Sequence, residues 1–325
     1  MGDPAGIGAE VTVKALVSRQ ILDEFIPVVI GDPGVMQLNC DKYGYDIEFI
    51  KVDEDGLDDL KQVEPHQCYL MTTGVKVNMP DFRFGEINAD YGRAAGSYIE
   101  KAARLVINKK LDAIVTAPIN KKAFNLGGYD FQGHTDFLAH LTGCEKEVMM
   151  LAGGKLAVIL CTVHVSLKDA IDLLDEQRII NTVTVANSDF KRYFGKSSPK
   201  FAVAALNPHA SEGGSFGTEE DEIIIPAINK LRALGIDITD PLPADSLFYH
   251  AKHGAYDAVI CMYHDQGLIP IKILYFDIGT NITLGLGIVR TSVDHGTGFD
   301  IAGNGGANEL SMINAIEKAL QMCQN

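Results

Sequence analysis

"LAVILCTVH" (156–164), "KFAVAALNPH" (200–209) and "DAVICMYH" (257–264) decide how this chain folds. Each is a short apolar run, rich in β-branched residues, that closes on a histidine. Such runs read as strands buried on both faces. Others recur at "IPVVIGD" (26–32), "YLMTT" (69–73), "LDAIVTAP" (111–118), "EVMMLAG" (147–153) and "TNITLGLGIVRTS" (280–292). Between them lie amphipathic segments: over 88–108, Ala95, Ile99, Ala102, Ala103 and Val106 share one helical face. The stretch 210–235 opens as a Gly-rich loop and becomes helical through "EEDEIIIPAINKLRALG". A last helix is predicted over 308–323, with Leu310, Ile313, Ile316 and Leu320 turned inward. The alternation predicts an α/β fold with a mostly parallel sheet between two layers of helices.

The totals bound the function. A chain of 325 residues, 46% hydrophobic, has sequence enough for two lobes or one large α/β unit. No linker or repeat marks a boundary, so the chain is expected to cross between lobes more than once. A net charge of -15 argues against nucleic acid as a partner, because a phosphate backbone needs a basic face. No apolar run reaches the roughly 18 residues that span a bilayer, and no secretory signal is visible. Cys40, Cys68, Cys144, Cys161, Cys261 and Cys323 are dispersed, as expected of reduced residues in a cytoplasmic protein. Any anionic substrate must then be met by a few local cations.

In open α/β sheets ligands bind beyond the carboxyl ends of strands. His164, His209 and His264 stand at three such ends. A lone strand-end histidine is usually structural, but two of these sit in unusual polar motifs, "NPHASEGG" and "YHDQG". If they converge, the product is a divalent metal site with room for substrate. Imidazole favours zinc or cobalt over magnesium, which prefers oxygen. Asp245 and Asp265 are carboxylates placed to join the site or orient a ligand. A second polar set comprises Lys272 in the apolar "LIPIKIL", Asn281, Arg290, and His134 with Thr135 in "QGHTDF". Together they suit a small substrate bearing phosphate or carboxylate.

Six segments carry a family resemblance: "GDPAGIGAE" (2–10), "GHTDFLAHLTG" (133–143), "NPHASEGGSFGTEE" (207–220), "PLPADSLF" (241–248), "YDAVICMYHDQGLIPIK" (256–272) and "TNITLGLGIVRTSVDHGTGFDIAG" (280–303). Together they resemble the 4-hydroxythreonine-4-phosphate dehydrogenase family of vitamin B6 synthesis. The likeness is collinear over essentially the whole chain, and "MYHDQG" and "RTSVDHGT" are its specific signals. It departs from the family at Ala9 and Gly287, where proline is common.

The resemblance implies a two-lobed, three-layer α/β/α fold of the isocitrate and isopropylmalate dehydrogenase type. It places a cofactor-side lobe at 1–120 plus 275–325, and a metal and dimer-interface lobe at 121–274. It implies a divalent metal (zinc first, then cobalt or magnesium) on His164, His209 and His264, with the site completed across a homodimer interface. It puts substrate on His134, Thr135, Lys272, Asn281 and Arg290, with Lys272 and Asp245 as candidate catalytic residues. NAD is implied along "DHGTGFDIAGNGGAN" (294–308), at Asp294, His295, Gly296, Thr297, Asp300 and Asn304. There the Asp300 carboxylate would meet the adenosine ribose and disfavour a 2′-phosphate. The implied reaction is oxidation of 4-phosphohydroxy-L-threonine at its 3-hydroxyl, followed by loss of CO₂ to give 3-amino-2-oxopropyl phosphate.

Three other readings compete. Paralogues act on 4-phospho-D-threonate or 4-phospho-D-erythronate. A metal-dependent hydrolase or acyltransferase on the same fold would not need the dinucleotide segment. A non-catalytic binding protein would leave the histidines and Lys272 unexplained. The opening "MGDPAGIGAE" resembles a strand-to-helix loop without its strand, so a start codon placed several residues too late is expected. Neighbours of a missing strand would have to find other partners.

Overall fold

In the computed structural model, which describes residues 1–18 and 24–325, contacts divide the chain into two units. The first comprises Met1–Glu145 and Leu286–Cys323, the second Lys146–Gly285 and Gln324–Asn325. In chain order the elements are α1 (Gly8–Val17), β1 (Val28–Ile30), α2 (Pro33–Tyr43), β2 (Glu48–Lys51), β3 (Gln67–Met71), α3 (Ala89–Ile107), β4 (Ala113–Thr116), α4 (Lys121–Leu126) and α5 (His134–Thr142). The second unit then supplies β5 (Val148–Gly153), β6 (Leu156–Leu160), α6 (Leu167–Leu173), α7 (Glu176–Tyr193), β7 (Lys200–Ala204), α8 (Ile225–Ala233), β8 (Asp237–Leu242), α9 (Ala244–Ala251), β9 (Ala258–Cys261), α10 (His264–Tyr275) and β10 (Thr280–Leu284). The chain ends with β11 (Val289–Val293) and α11 (Leu310–Cys323). The fold is mixed α/β, and most strand pairs are parallel.

In the first unit β1, β3 and β2 form a parallel sheet, and β4 pairs parallel with β11. α3 starts where Asn88 caps it, its side chain accepting from the Asp90 N–H. Its buried face carries Ala95, Ile99, Ala103 and Val106, as the spacing predicts, while Ala102 is half-buried. Phe124 of α4 and Phe137 and Leu138 of α5 join the same core as Ile99 and Ala103. That packing carries the first unit through Glu145, beyond the boundary expected at 120. β1 and β4 each end their sheet's strand order. Both line a cavity of about 490 Å³ together with Met1, Tyr98 and His134.

In the second unit the strands run in the order β10-β5-β6-β9-β7-β8. β5 pairs antiparallel with both β10 and β6, and the rest are parallel. The antiparallel β10 ties residues 280–284 to β5, so the second unit extends to Gly285 and past the boundary expected at 274. β6, β7 and β9 are apolar runs buried almost throughout, consistent with cover on both faces. The last helix differs from expectation. α11 buries Met312, Ala315, Ala319 and Met322, and Leu310 is exposed. Ile313 and Ile316 do pack against the core, half-buried, so the expected stripe lies beside a fully buried one made of small residues and Met.

Candidate functional site

Parallel pairing brings the strand ends of the second unit into line. Leu160 of β6 stands opposite Cys261 of β9, and Ile260 of β9 opposite Val203 of β7. Beyond β6, the Cys161 N–H donates to the Cys261 carbonyl at 2.8 Å, and the Thr162 hydroxyl to the Met262 carbonyl at 2.9 Å. The chain therefore releases His164 and His264 side by side, with ring centroids 5.6 Å apart. Two imidazoles whose nitrogens each lie about 2.1 Å from one ion place their ring centres about 5–6 Å apart, so this pair fits a shared metal. His264 opens α10, and its Nδ1 lies 2.7 Å from Asp265 Oδ1. Such a carboxylate fixes the ring and turns Nε2 toward a ligand. His164 has a left-handed backbone, with φ of 43°. A non-glycine residue held there costs about 1–3 kcal/mol, a strain that clusters at functional sites.

His209 takes another path. After β7 the chain enters Pro208, and residues 209–214 all have positive φ: His209 53°, Ala210 54°, Ser211 62°, Glu212 46°, Gly213 66° and Gly214 86°. This left-handed turn brings the His209 ring near Phe216, with centroids 6.2 Å apart and the planes tilted. Among the described residues no group of three or more His, Cys, Asp or Glu is placed to hold a metal ion. The three strand-end histidines therefore do not converge within one chain. Asp245 lies exposed in the first turn of α9, which packs against the 208–212 turn.

Two further candidates belong to the second unit. Lys272, on α10, is half-buried rather than buried, and its ammonium sits 5.1 Å from the centre of the Phe276 ring. Asn281 lies on β10 opposite Leu151, and its buried Oδ1 has no hydrogen-bond partner among the described residues. A buried acceptor left in this state is a place where a ligand can donate.

The first unit holds a buried cation beside polar side chains. Arg290 of β11 stands opposite Ile114 of β4, is 3% exposed, and donates to the Thr116 hydroxyl at 2.8 Å. Burial lowers its pKa to about 10, which leaves it charged at neutral pH. His134 opens α5, with Thr135 next to it. Burial, then the Arg290 charge, then the Met1 amine hold the His134 imidazole well below its usual range, so it is neutral at pH 7. A buried guanidinium next to a neutral imidazole at a helix N-terminus attracts a phosphate or carboxylate.

The 294–308 segment also belongs to this unit, and the opening loop holds it. The Ile7 N–H donates to the Thr297 carbonyl at 2.9 Å. Glu10 of α1 accepts from the Ala307 N–H at 2.8 Å, and Lys14 donates to the Gly305 and Ala307 carbonyls at 3.0 and 2.6 Å. A Cβ on Gly6 would come within 2.9 Å of the Thr297 carbonyl oxygen, which explains the glycine there. Along the segment Gly296, Asp300 and Asn304 are exposed, and Asp294, His295 and Thr297 are half-buried. The Asp294 N–H donates to Ser311 Oγ at 3.0 Å, and the buried Nε2 of His295 has no partner among the described residues. "MGDPAGIGAE" is thus a brace for this segment.

Sequence reasoning missed two buried polar groups in the second unit. Gln266 is 7% exposed; its Oε1 accepts from the Met262 N–H and its Nε2 donates to the Ala205 carbonyl, both at 2.7 Å. It joins the ends of β9 and β7. Glu220 is 1% exposed and accepts from both the backbone and the side chain of Asn207. The available signal was a lone polar residue at each junction, Gln266 in "HDQG" and Asn207 in "LNPH".

Comparison with known proteins gives a consistent picture. Residues 23–319 match the family described as pyridoxal phosphate biosynthetic protein PdxA. The chain is 43% identical over its full length to a 4-hydroxythreonine-4-phosphate dehydrogenase of Geobacter metallireducens, covering 94% of that protein. It is 42% identical to a D-threonate 4-phosphate dehydrogenase of Cupriavidus necator, over 99% of this chain and 95% of that one. A solved 4-hydroxythreonine-4-phosphate dehydrogenase from Klebsiella pneumoniae superposes with a TM-score of 0.91 at 38% identity, covering 100% of this chain and 97% of that one.

Proposed function

Because this chain belongs to the PdxA family of pyridoxal phosphate biosynthetic proteins, and so is a dehydrogenase, we propose that it oxidises 4-phosphohydroxy-L-threonine with NAD and a divalent metal. The 3-hydroxyl becomes a ketone, and loss of CO₂ then gives 3-amino-2-oxopropyl phosphate in vitamin B6 synthesis. The observation that carries the reading is the His164–His264 pair at adjacent strand ends, with Asp265 fixing one ring.

His164 and His264 hold the metal, zinc before cobalt or magnesium, and a second copy of the chain supplies His209. Exposed apolar side chains around the histidines support a homodimer: Val165 and Leu167 near His164, Ile269, Ile273 and Phe276 on and just beyond α10, and Phe216 beside His209. When bound, the metal would supply Lewis acidity and NAD a hydride acceptor. The protein's own residues bind and orient. Arg290, His134 and Thr135 hold a phosphate or carboxylate of the substrate. Asn281 offers its buried acceptor to a substrate donor. Lys272 is the first candidate for proton transfer at the substrate hydroxyl, in its neutral amine form, or for binding a substrate anion as the ammonium, with Asp245 as the second candidate for proton transfer. The 294–308 segment binds the dinucleotide through Asp294, His295, Gly296, Thr297, Asp300 and Asn304, with exposed Asp300 directed to the adenosine ribose. We place the enzyme in the cytoplasm, a reading that the dispersed free cysteines support.

D-threonate 4-phosphate is the second substrate reading, because a relative named for that activity is as similar as those named for the first. The test is NADH formation with 4-phosphohydroxy-L-threonine, 4-phospho-D-threonate and 4-phospho-D-erythronate, each with metal added and with metal chelated. The expected result is metal-dependent NADH formation, fastest with the first. A preference for a phospho-sugar acid would move the chain to the paralogous activity. No NADH from any substrate would sink the dehydrogenase mechanism.

A further inference from the structure

We propose that Glu220 is a positioning residue that acts through Asn207 to hold the left-handed turn presenting His209, and so sets the affinity of the metal site. The inference rests on the reading that His209 is a metal ligand.

The turn cannot hold itself. Four consecutive non-glycine residues, His209 to Glu212, have positive φ, and left-handed backbone costs each of them free energy relative to the right-handed form. Within the turn, Phe216 N–H donates to the Ser211 carbonyl at 3.1 Å and Gly214 N–H to Ser211 Oγ at 3.3 Å. Neither bond reaches back to the strand that precedes His209. Asn207 makes that connection, two residues before His209. Its N–H donates to Glu220 Oε1 at 2.8 Å, and its Nδ2 donates to Glu220 Oε2 at 2.8 Å and to Glu219 Oε2 at 2.6 Å. One buried carboxylate therefore holds both the backbone and the side chain of Asn207, which fixes the direction in which the chain enters Pro208. The Glu219 carboxyl is held below the usual range by its own backbone N–H first and then by the Asn207 side chain. Two features hold the carboxylates in place. Residues Glu220–Ile224 form a π-turn in which the Ile225 N–H reaches the Glu220 carbonyl, just before Pro226, which has no N–H to offer. Gly217 leaves room for the clamp, since a Cβ there would lie 2.6 Å from both Asn207 Nδ2 and Glu219 Oε2.

Buried polar groups with every contact inside one loop usually stabilise that loop alone. Here they fix the one strand-end histidine that the strands themselves do not place beside the other two. A loss at Glu220 should therefore appear in metal binding more than in global stability.

The test titrates Co²⁺ into metal-free full-length protein and follows the visible d–d bands, which report coordination geometry, with no substrate or NAD present. Wild type and His209→Ala define the two limits. Glu220→Ala should weaken Co²⁺ binding about 100-fold and Glu220→Gln, which keeps one acceptor, about 10-fold, the range found when groups orienting a metal ligand are removed. The bands should shift in both with far-UV circular dichroism unchanged; Glu220→Ala leaves the Asn207 donors unpaired and lowers the melting of the metal-free protein, while Glu220→Gln, which keeps one acceptor, melts closer to wild type and still binds Co²⁺ more weakly. Asn207→Ala should weaken binding as Glu220→Ala does, and the double variant no further, because both break one clamp. If Glu220→Ala does not fold, Glu220→Gln and Asn207→Ala decide. Wild-type affinity and spectrum in those variants would overturn the proposal while leaving the metal reading intact. A wild type that takes up no Co²⁺, or a His209→Ala that binds as tightly as wild type, would overturn the metal reading and this proposal together.

Discussion

His264 and His209 stand at the ends of neighbouring parallel strands, in segments that look alike in sequence, yet the backbone treats them in opposite ways. At His264 the chain turns directly into right-handed α10, and Asp265 and Gln266 fold back to secure the ring and the strand end. At His209 the chain has Pro208 before it and Gly213 and Gly214 after it, and it coils left-handed. The strand decides only that a residue emerges at the end of the sheet. The residues that follow decide where it points. One arrangement sets His264 beside His164, and the other leads His209 away from both, toward Phe216.

The sharpest way to break the first arrangement is Gln266→Leu. The change is close in volume but leaves the Met262 N–H and the Ala205 carbonyl buried and unpaired, each at about 1–3 kcal/mol. A loss of about 3 kcal/mol in urea unfolding is expected, together with weaker metal binding. Full stability would mean that α10 alone fixes the ends of β9 and β7. Asp265→Asn is milder. It keeps the shape and removes the charge that faces His264 Nδ1, so about a 10-fold loss of Co²⁺ affinity is expected with little change in melting temperature. An unchanged affinity would show that His264 needs no carboxylate to orient it.

The same contrast explains what could be read from the sequence. The strands were legible because doubly buried parallel strands are continuous apolar runs, and three of them announced their ends with histidine. α3 was legible from its period. α11 was legible in part: Ile313 and Ile316 pack against the core as expected, but the fully buried positions are alanine, serine and methionine, and Leu310 is exposed. That His164 and His264 come together while His209 stays apart was not legible. His209 opens a run of six residues with positive φ, and the carboxylate bonded to Asn207 lies thirteen positions further along the chain. Neither has a periodic signature. The role of the opening glycines was likewise hidden, since the segment they brace lies at the far end of the chain.

The smallest expected effect is the most direct check on the left-handed turn, because only its sign matters. Ala210 has φ 54° and ψ 52°, where an L-residue costs about 1–2 kcal/mol and glycine costs little. Ala210→Gly relieves that strain but gives the unfolded chain more freedom, worth about 0.5–1 kcal/mol in the opposite direction. The balance is a net stabilisation of about 0.5 kcal/mol, or about a 1 °C rise in melting temperature for a chain of this size. In a right-handed helix the same substitution destabilises by about 1 kcal/mol. A fall in melting temperature would therefore mean that the turn is right-handed in solution. His209 and His264 would then leave their strands in the same way, and the clamp on Asn207 would have no left-handed turn to hold.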